Sequence, residues 1–270
     1  MKLTFIGGGN MATAMLGGVL RQGLQPADIA VLEPSADKRA ELARQFGVHT
    51  LAADDRLPAS EVVVLAVKPQ QMAEAAAHIA SDIADALVIS IAAGVRVEAL
   101  SGWLGGHRRI VRAMPNTPAL IGKGISGVYA DPAVDAAGRA VAGQVLAAAG
   151  EVVWLDNEQQ LDPVTAVSGS GPAYVFYFIE ALQAAGEAQG FSPEVARQLA
   201  YRTFEGAVAL ALQSEESAGT LRERVTSKGG TTERGLAQLA SAGVEQAIVD
   251  AVAAATKRAA ELGEQFAGQR

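Results

Sequence analysis

After Leu155 the sequence has no further strand-like run, and this break constrains the fold more than any other feature. Before it, short β-branched segments over 2–6, 29–33, 62–67, 87–90, 109–114 and 152–155 alternate with alanine-rich stretches. Segments 11–22, 37–46 and 70–80 carry apolar residues at the spacing of one helix face. That alternation is the pattern of a parallel sheet covered by helices. Beyond the polar "DNEQQ" at 156–160 the spacing predicts helix only, over 161–168, 172–189, 193–212 and 243–266. Ser192 before Pro193 is a helix start with a cap and a first-position proline. The expected division is an α/β domain over 1–156 and an all-α domain over 157–270. "GAVALAL" from Gly206 is small or apolar all round, so its helix is expected to pack against a second chain. Alanine-rich helices bury little per residue unless two chains share one core.

Composition excludes several classes. The chain of 270 residues has no cysteine, which removes disulfides, thiolate catalysis and cysteine-ligated zinc. His49, His78 and His107 are far apart and lack metal-ligand spacing, so no metal site is expected. The formal charge of -7 comes without a basic stripe, arguing against nucleic acid and against anionic membrane. No apolar run reaches the ~20 residues of a membrane-spanning helix, and Met1 leads straight into a strand-like segment. A soluble cytoplasmic protein with a small-molecule partner is the expectation.

"KLTFIGGGNMATAM" sets Gly7, Gly9 and Ala12 in G-x-G-x-x-A spacing, directly after a strand and at the start of a helix. Gly7 permits a tight turn, Gly9 lets the backbone approach a pyrophosphate, and Ala12 allows close helix packing, with phosphates at the helix N-terminus. The context makes the α/β domain Rossmann-type, with Gly7, Gly8, Gly9, Asn10 and Met11 as the candidate cradle for NAD(P). Glu33, closing the second strand, stands near where an acid holds the ribose of NAD, and its charge would repel a 2′-phosphate. Ser35, Lys38 and Arg39 on the next turn could instead meet the phosphate of NADP if Glu33 points away. Local chemistry leaves NADPH and NADH both open. Two further strand ends, "AVKPQ" (Ala66, Val67, Lys68, Pro69) and "SIAAGV" (Ala92, Ala93, Gly94), should line the same edge, because ligands of open parallel sheets lie beyond the carboxyl ends of strands. Lys68 is equally well a solvated loop lysine. "RAMPNTPAL" ends another strand in a rigid loop that presents Asn116 and Thr117.

No Ser-His-Asp, Cys-His or paired-carboxylate arrangement is present. Hydride transfer needs none, since the cofactor carries the chemistry and the protein aligns donor and acceptor. "VTSKGGTTERGL" at 225–236 lies between helical stretches. Gly229 and Gly230 free its backbone, and Thr231 or Thr232 could cap the following helix, gathering N–H groups that suit a carboxylate. A plain helix connection is the alternative.

"FIGGGNM", "AVKPQ", "SIAAGV", "MPNTP", "AVSGSGPAY" and "VTSKGGTTE", in that order over nearly the whole chain, resemble pyrroline-5-carboxylate reductases. The resemblance implies a Rossmann domain with a helical dimerisation domain, often in rings of dimers up to a decamer. It implies NAD(P)H-dependent reduction of 1-pyrroline-5-carboxylate to L-proline, the last step of proline biosynthesis. It also implies that Ser227, Gly230, Thr231 and Thr232 form the substrate loop, with backbone amides on the carboxylate and the Thr232 hydroxyl near the ring nitrogen. Glu215 matches a position lining that pocket, which in the family forms between helices of two subunits. Two departures stand out: "EPS" follows the second strand where NADPH-preferring members often carry Ser, Asn or Arg, and Asp54 falls about where many have Asn. The β-hydroxyacid dehydrogenases share the domain order, but their catalytic lysine is replaced here by Val175. A non-catalytic dinucleotide sensor is the remaining rival.

Overall fold

The structure, a computed structural model, describes residues 1–267. Its strands are β1 (Leu3–Ile6), β2 (Ile29–Leu32), β3 (His49–Leu51), β4 (Val62–Leu65), β5 (Leu87–Ser90), β6 (Ile110–Met114), β7 (Gly124–Ala130) and β8 (Gly150–Trp154). Helices α1 (Asn10–Arg21), α2 (Ala36–Phe46), α3 (Met72–Ile79), α4 (Val97–Trp103) and α5 (Ala136–Ala147) run between them. After β8 come α6 (Leu161–Val164), α7 (Gly171–Ala188), α8 (Pro193–Leu212), α9 (Ala218–Arg224), α10 (Thr231–Ser241) and α11 (Val244–Ala267).

One sheet of order β3-β2-β1-β4-β5-β6-β7-β8 holds all of the strands. Successive side chains alternate between its faces, which gives two cores. Leu3, Phe5, Val62 and Val64 meet Met15, Leu16 and Val19 of α1 and Val145 of α5. Ile6, Val63 and Leu65 meet Met72, Ala76 and Ile79 of α3 and Leu100 of α4. Because β1, β2, β4 and β5 are buried throughout, they read as continuous apolar runs, as parallel strands covered on both faces do.

The wholly parallel sheet expected from the sequence is corrected at one edge. β3 to β6 are parallel, whereas β7 runs antiparallel to β6 and β8 follows β7. β7, "GISGVYA", escaped the sequence reading because its glycines interrupt the β-branched pattern, and β3 because it has three residues. The helices α4, α5 and α9 were also absent from that reading, whereas α10 is the helix expected to follow the 225–230 loop. In α5 the alanine and glycine content blurs the apolar stripe. The helix expected over 161–168 changes character midway: α6 gives way to a π-turn, Thr165–Gly169, with Ser170 N–H donating to the Thr165 carbonyl at 2.8 Å.

The chain forms two compact units, Met1–Ser170 joined by α11 from Ala253 onward, and Gly171–Val252. In the second, α7 and α8 pack closely where Gly186 faces Ala196, and Ala196 and Ala200 are buried. Other α8 side chains are open: Val208, Leu210 and Leu212 are 55, 57 and 80% exposed. Among the described residues no helix is long and apolar enough to cross a membrane.

Candidate active site

The strand order changes direction at β1, whose neighbours are β2 and β4, and such a switch point opens a crevice beyond the strands' carboxyl ends. Gly7 fills the turn there. Its φ is +97°, its N–H donates to the Leu32 carbonyl at 2.8 Å, and a Cβ would stand 2.9 Å from the Ala66 carbonyl oxygen. Gly8 is equally confined, since a Cβ would fall 2.6 Å from Leu42 Cδ1. Gly9 is different: a Cβ there would meet nothing within 4 Å. The fold itself therefore gives no reason for glycine at this position, and the free space suits a ligand that must approach the backbone. Gly9 also caps α1 without any side-chain hydrogen bond, leaving the first-turn amides of Asn10 and Met11 for an anion. Ala12 is fully buried. A dinucleotide fits this cradle.

Glu33 lies just past β2, 8% exposed, and both carboxylate oxygens are engaged. Oε2 accepts from Gly8 N–H and Oε1 from Ser35 N–H, each at 2.9 Å. Arg39 donates through Nη1 to the carbonyls of Glu33 and Pro34, both at 2.7 Å. Ser35 caps α2, its hydroxyl accepting from Lys38 N–H. Ala66 continues the β1–β4 ladder by donating to the Ile6 carbonyl at 2.8 Å, with Val67 and Pro69 half-buried and Lys68 exposed beyond it. Ala92 is buried, Ala93 half-buried, and Gly94, at φ +77°, sits against Leu262 and Gly263 of α11. All of these positions lie at the carboxyl ends of β1, β2, β4 and β5. Asn116 and Thr117 follow β6. Thr117 is exposed, but the Asn116 amide is spent internally: Nδ2 donates to the Ser168 carbonyl at 3.1 Å and Oδ1 accepts from Ile125 N–H at 3.0 Å. It ties the loop to β7 and to the π-turn.

Behind this edge lies a buried charge cluster that the sequence reading missed. Arg112 of β6, 3% exposed, donates to Glu158 Oε1 at 2.6 Å, and the same oxygen accepts from Val97 N–H at the start of α4. Arg96 pairs with Asp162 at 2.7 Å. Burial pushes the Arg112 guanidinium below its ordinary pKa, and Glu158 partly offsets that. The available signal was a lone arginine inside the apolar run "IVRAM".

In the second unit, the loop between α9 and α10 carries the other expected residues. Gly229 has φ +73°, and its N–H donates to Glu233 Oε2 at 2.7 Å. Gly230 N–H donates to the Ser227 carbonyl at 3.0 Å, and a Cβ would fall 2.7 Å from Ser227 Oγ. The expectation that Thr231 or Thr232 caps α10 is corrected: the cap is Gly230, with no side-chain hydrogen bond, and both threonines lie inside the helix, exposed. The first-turn amides of α10 thus have no side-chain acceptor. Glu215 is exposed in the turn between α8 and α9. The three histidines stay apart, on β3, on α3 and ahead of β6.

A dinucleotide crevice at a doubly wound switch point, followed by a helical unit, defines a nicotinamide-dependent oxidoreductase. Comparison with known proteins narrows this class. Residues 158–262 match the family model for pyrroline-5-carboxylate reductase dimerisation, and residues 2–94 match that for NADP oxidoreductase, coenzyme F420-dependent. The chain is 45% identical to a pyrroline-5-carboxylate reductase of Pseudomonas aeruginosa, over 98% of each chain. A solved pyrroline-5-carboxylate reductase of Coxiella burnetii superposes with a TM-score of 0.91 at 41% identity, covering 97% of this chain and 98% of that one. The Plasmodium falciparum enzyme, solved with NADP bound, gives 0.86 at 28% identity, with the same coverage. The chain belongs to the pyrroline-5-carboxylate reductase family.

Proposed function

We propose that the protein reduces 1-pyrroline-5-carboxylate to L-proline with NADPH, NADH being a possible second donor, as the last step of proline biosynthesis. The observation that carries this reading is the second set of unclaimed backbone donors, at the start of α10, in addition to those at the start of α1. One set suits a pyrophosphate and the other a substrate carboxylate.

In this reading Gly7 to Met11 cradle the pyrophosphate, and Glu33, Ser35, Ala66 to Pro69, Ala92 to Gly94, Asn116 and Thr117 line the cofactor. The bound cofactor supplies the hydride. Amides after Gly230, with Ser227 and Thr231, hold the carboxylate, while the Thr232 hydroxyl oxygen accepts from the protonated ring nitrogen and Glu215 lines the pocket. A protonated imine is electrophilic at carbon, so no side-chain acid has to supply a proton. After hydride addition the ring nitrogen is an amine and takes its proton from water. These roles assign positioning to the chain, in line with a sequence that shows no Ser-His-Asp, Cys-His or paired-carboxylate pattern.

The domain division at 156 and 157 follows the change from strands to helices, and the match over 158–262 supports it. Exposed Val208, Leu210 and Leu212 on α8 support a homodimer, from which a ring of dimers up to a decamer could be built. A cytoplasmic enzyme is proposed. The test is steady-state oxidation of NADPH and of NADH with racemic 1-pyrroline-5-carboxylate, identifying proline as product. Absence of turnover with either cofactor, in folded protein of defined mass by ultracentrifugation, overturns the reading.

A further inference from the structure

We infer that Glu33 is a positioning residue for the glycine loop, shared by both cofactors, and not the acceptor that reads the ribose. An acid in this place is ordinarily associated with the ribose 2′-hydroxyl. Here each of its two oxygens already accepts from a backbone N–H of the chain. Oε2 receives Gly8 N–H, the middle residue of the fingerprint, and Oε1 receives Ser35 N–H, the cap of α2, both at 2.9 Å. The carboxylate is held in place from the other side as well. Leu42 of α2 crowds Gly8, and Arg39 grips the carbonyls of Glu33 and Pro34, which fixes the turn that carries the acid. The result is a brace from the end of β2 to the turn between β1 and α1, almost sealed from water.

A brace and a ribose acceptor differ in what they select. A carboxylate facing the ribose hydroxyls attracts NADH and repels the 2′-phosphate of NADPH. One turned into Gly8 and Ser35 does neither, and it supports the pyrophosphate cradle that the two cofactors have in common. This removes the conflict between an acid after β2 and the use of NADPH. Discrimination is left to neighbouring groups that reach solvent, the exposed Ser35 and Lys38 side chains and the partly exposed Arg39.

The inference rests on the reductase reading but is tested apart from it, by binding. Affinities of NADPH and NADH are measured by fluorescence for wild type, Glu33→Gln and Glu33→Asp. Glutamine keeps one acceptor but sets an amide NH2 against Gly8 or Ser35. Aspartate, a good ribose ligand, is one methylene too short to span both. Each variant should weaken both cofactors by roughly 10-fold, the scale of one charge-assisted hydrogen bond, with their ratio unchanged within about 2-fold. In steady state the loss should fall on the KM of both cofactors more than on kcat, a split that a general loss of structure would not give. A shift of Glu33→Gln toward NADPH, full NADH affinity in Glu33→Asp, or unchanged affinity for both cofactors overturns the inference. Should Glu33→Gln fail to fold, Glu33→Asp decides alone. Failure of imine turnover in wild type would refute the reductase reading and leave the binding result standing.

Discussion

Glu158→Ala should be among the most destabilising single changes outside the apolar cores. Arg112 has 4% of its side chain exposed and Glu158 17%, so the pair is largely removed from water. Alanine takes away the carboxylate at 2.6 Å from Arg112 Nη1, and with it the acceptor for Val97 N–H. Arg112 Nε is already without a partner in the structure. The buried cation would lose its counter-charge while its desolvation remained, a change that costs about 3–5 kcal/mol. Against a net stability of about 5–15 kcal/mol this is a large fraction. With a urea dependence of about 3 kcal/mol per molar, the unfolding midpoint should fall by roughly 1–1.7 M. Arg112→Met combined with Glu158→Leu should recover most of the loss, because apolar replacement of both partners is close to neutral. A midpoint shift under about 0.3 M for Glu158→Ala, or a double variant no better than the single, would refute this account.

Three further outcomes are expected. Leu57 N–H, donating to Asp82 at 3.0 Å, is the main influence holding that carboxyl below its ordinary 3.8, with Ser81 and Arg56 assisting against burial. Its stabilisation is complete above the unfolded pKa and is lost as pH falls through the lower folded value, so the urea midpoints of wild type and Asp82→Asn should converge below about pH 4 and stay apart at pH 7. Gly9→Val should abolish cofactor binding with a normal melting temperature, whereas Gly7→Val should unfold the protein, because only Gly7 has a positive φ and a carbonyl within 2.9 Å of its missing Cβ; calorimetry with titrated NADPH separates the two. Thr232→Ala should lower kcat by about 10-fold or more with cofactor affinity unchanged, and identical steady-state kinetics would remove the hydroxyl from the reaction.

The central strands could be read from the sequence because burial on both faces forces uninterrupted Val, Ile and Leu, as in "VVVL" and "LVIS". The fingerprint was readable for a related reason: Gly7 answers a backbone constraint that leaves few alternatives. β7 was not, since its place depends on pairing with β6, a long-range choice that "GISGVYA" does not announce. The direction of a side chain is just as non-local. Glu33 in the sequence is an acid at the end of a strand, and only the fold shows it turned toward Gly8. Asn116 likewise reads as a loop amide open to a ligand, yet Ser168, far along the chain, takes its N–H.

The last helix has a consequence for synthesis. α11 begins in one compact unit and ends in the other, where Leu262 and Phe266 complete the core shared with α3 and α4, and Leu262 and Gly263 back the Gly94 turn. Although the strands of the nucleotide unit precede the helical unit in sequence, the core of that unit is unfinished until α11 has left the ribosome. A unit whose strands come first usually folds first during translation; this one keeps an open apolar seam, on the Gly94 side of its crevice, until that helix is made.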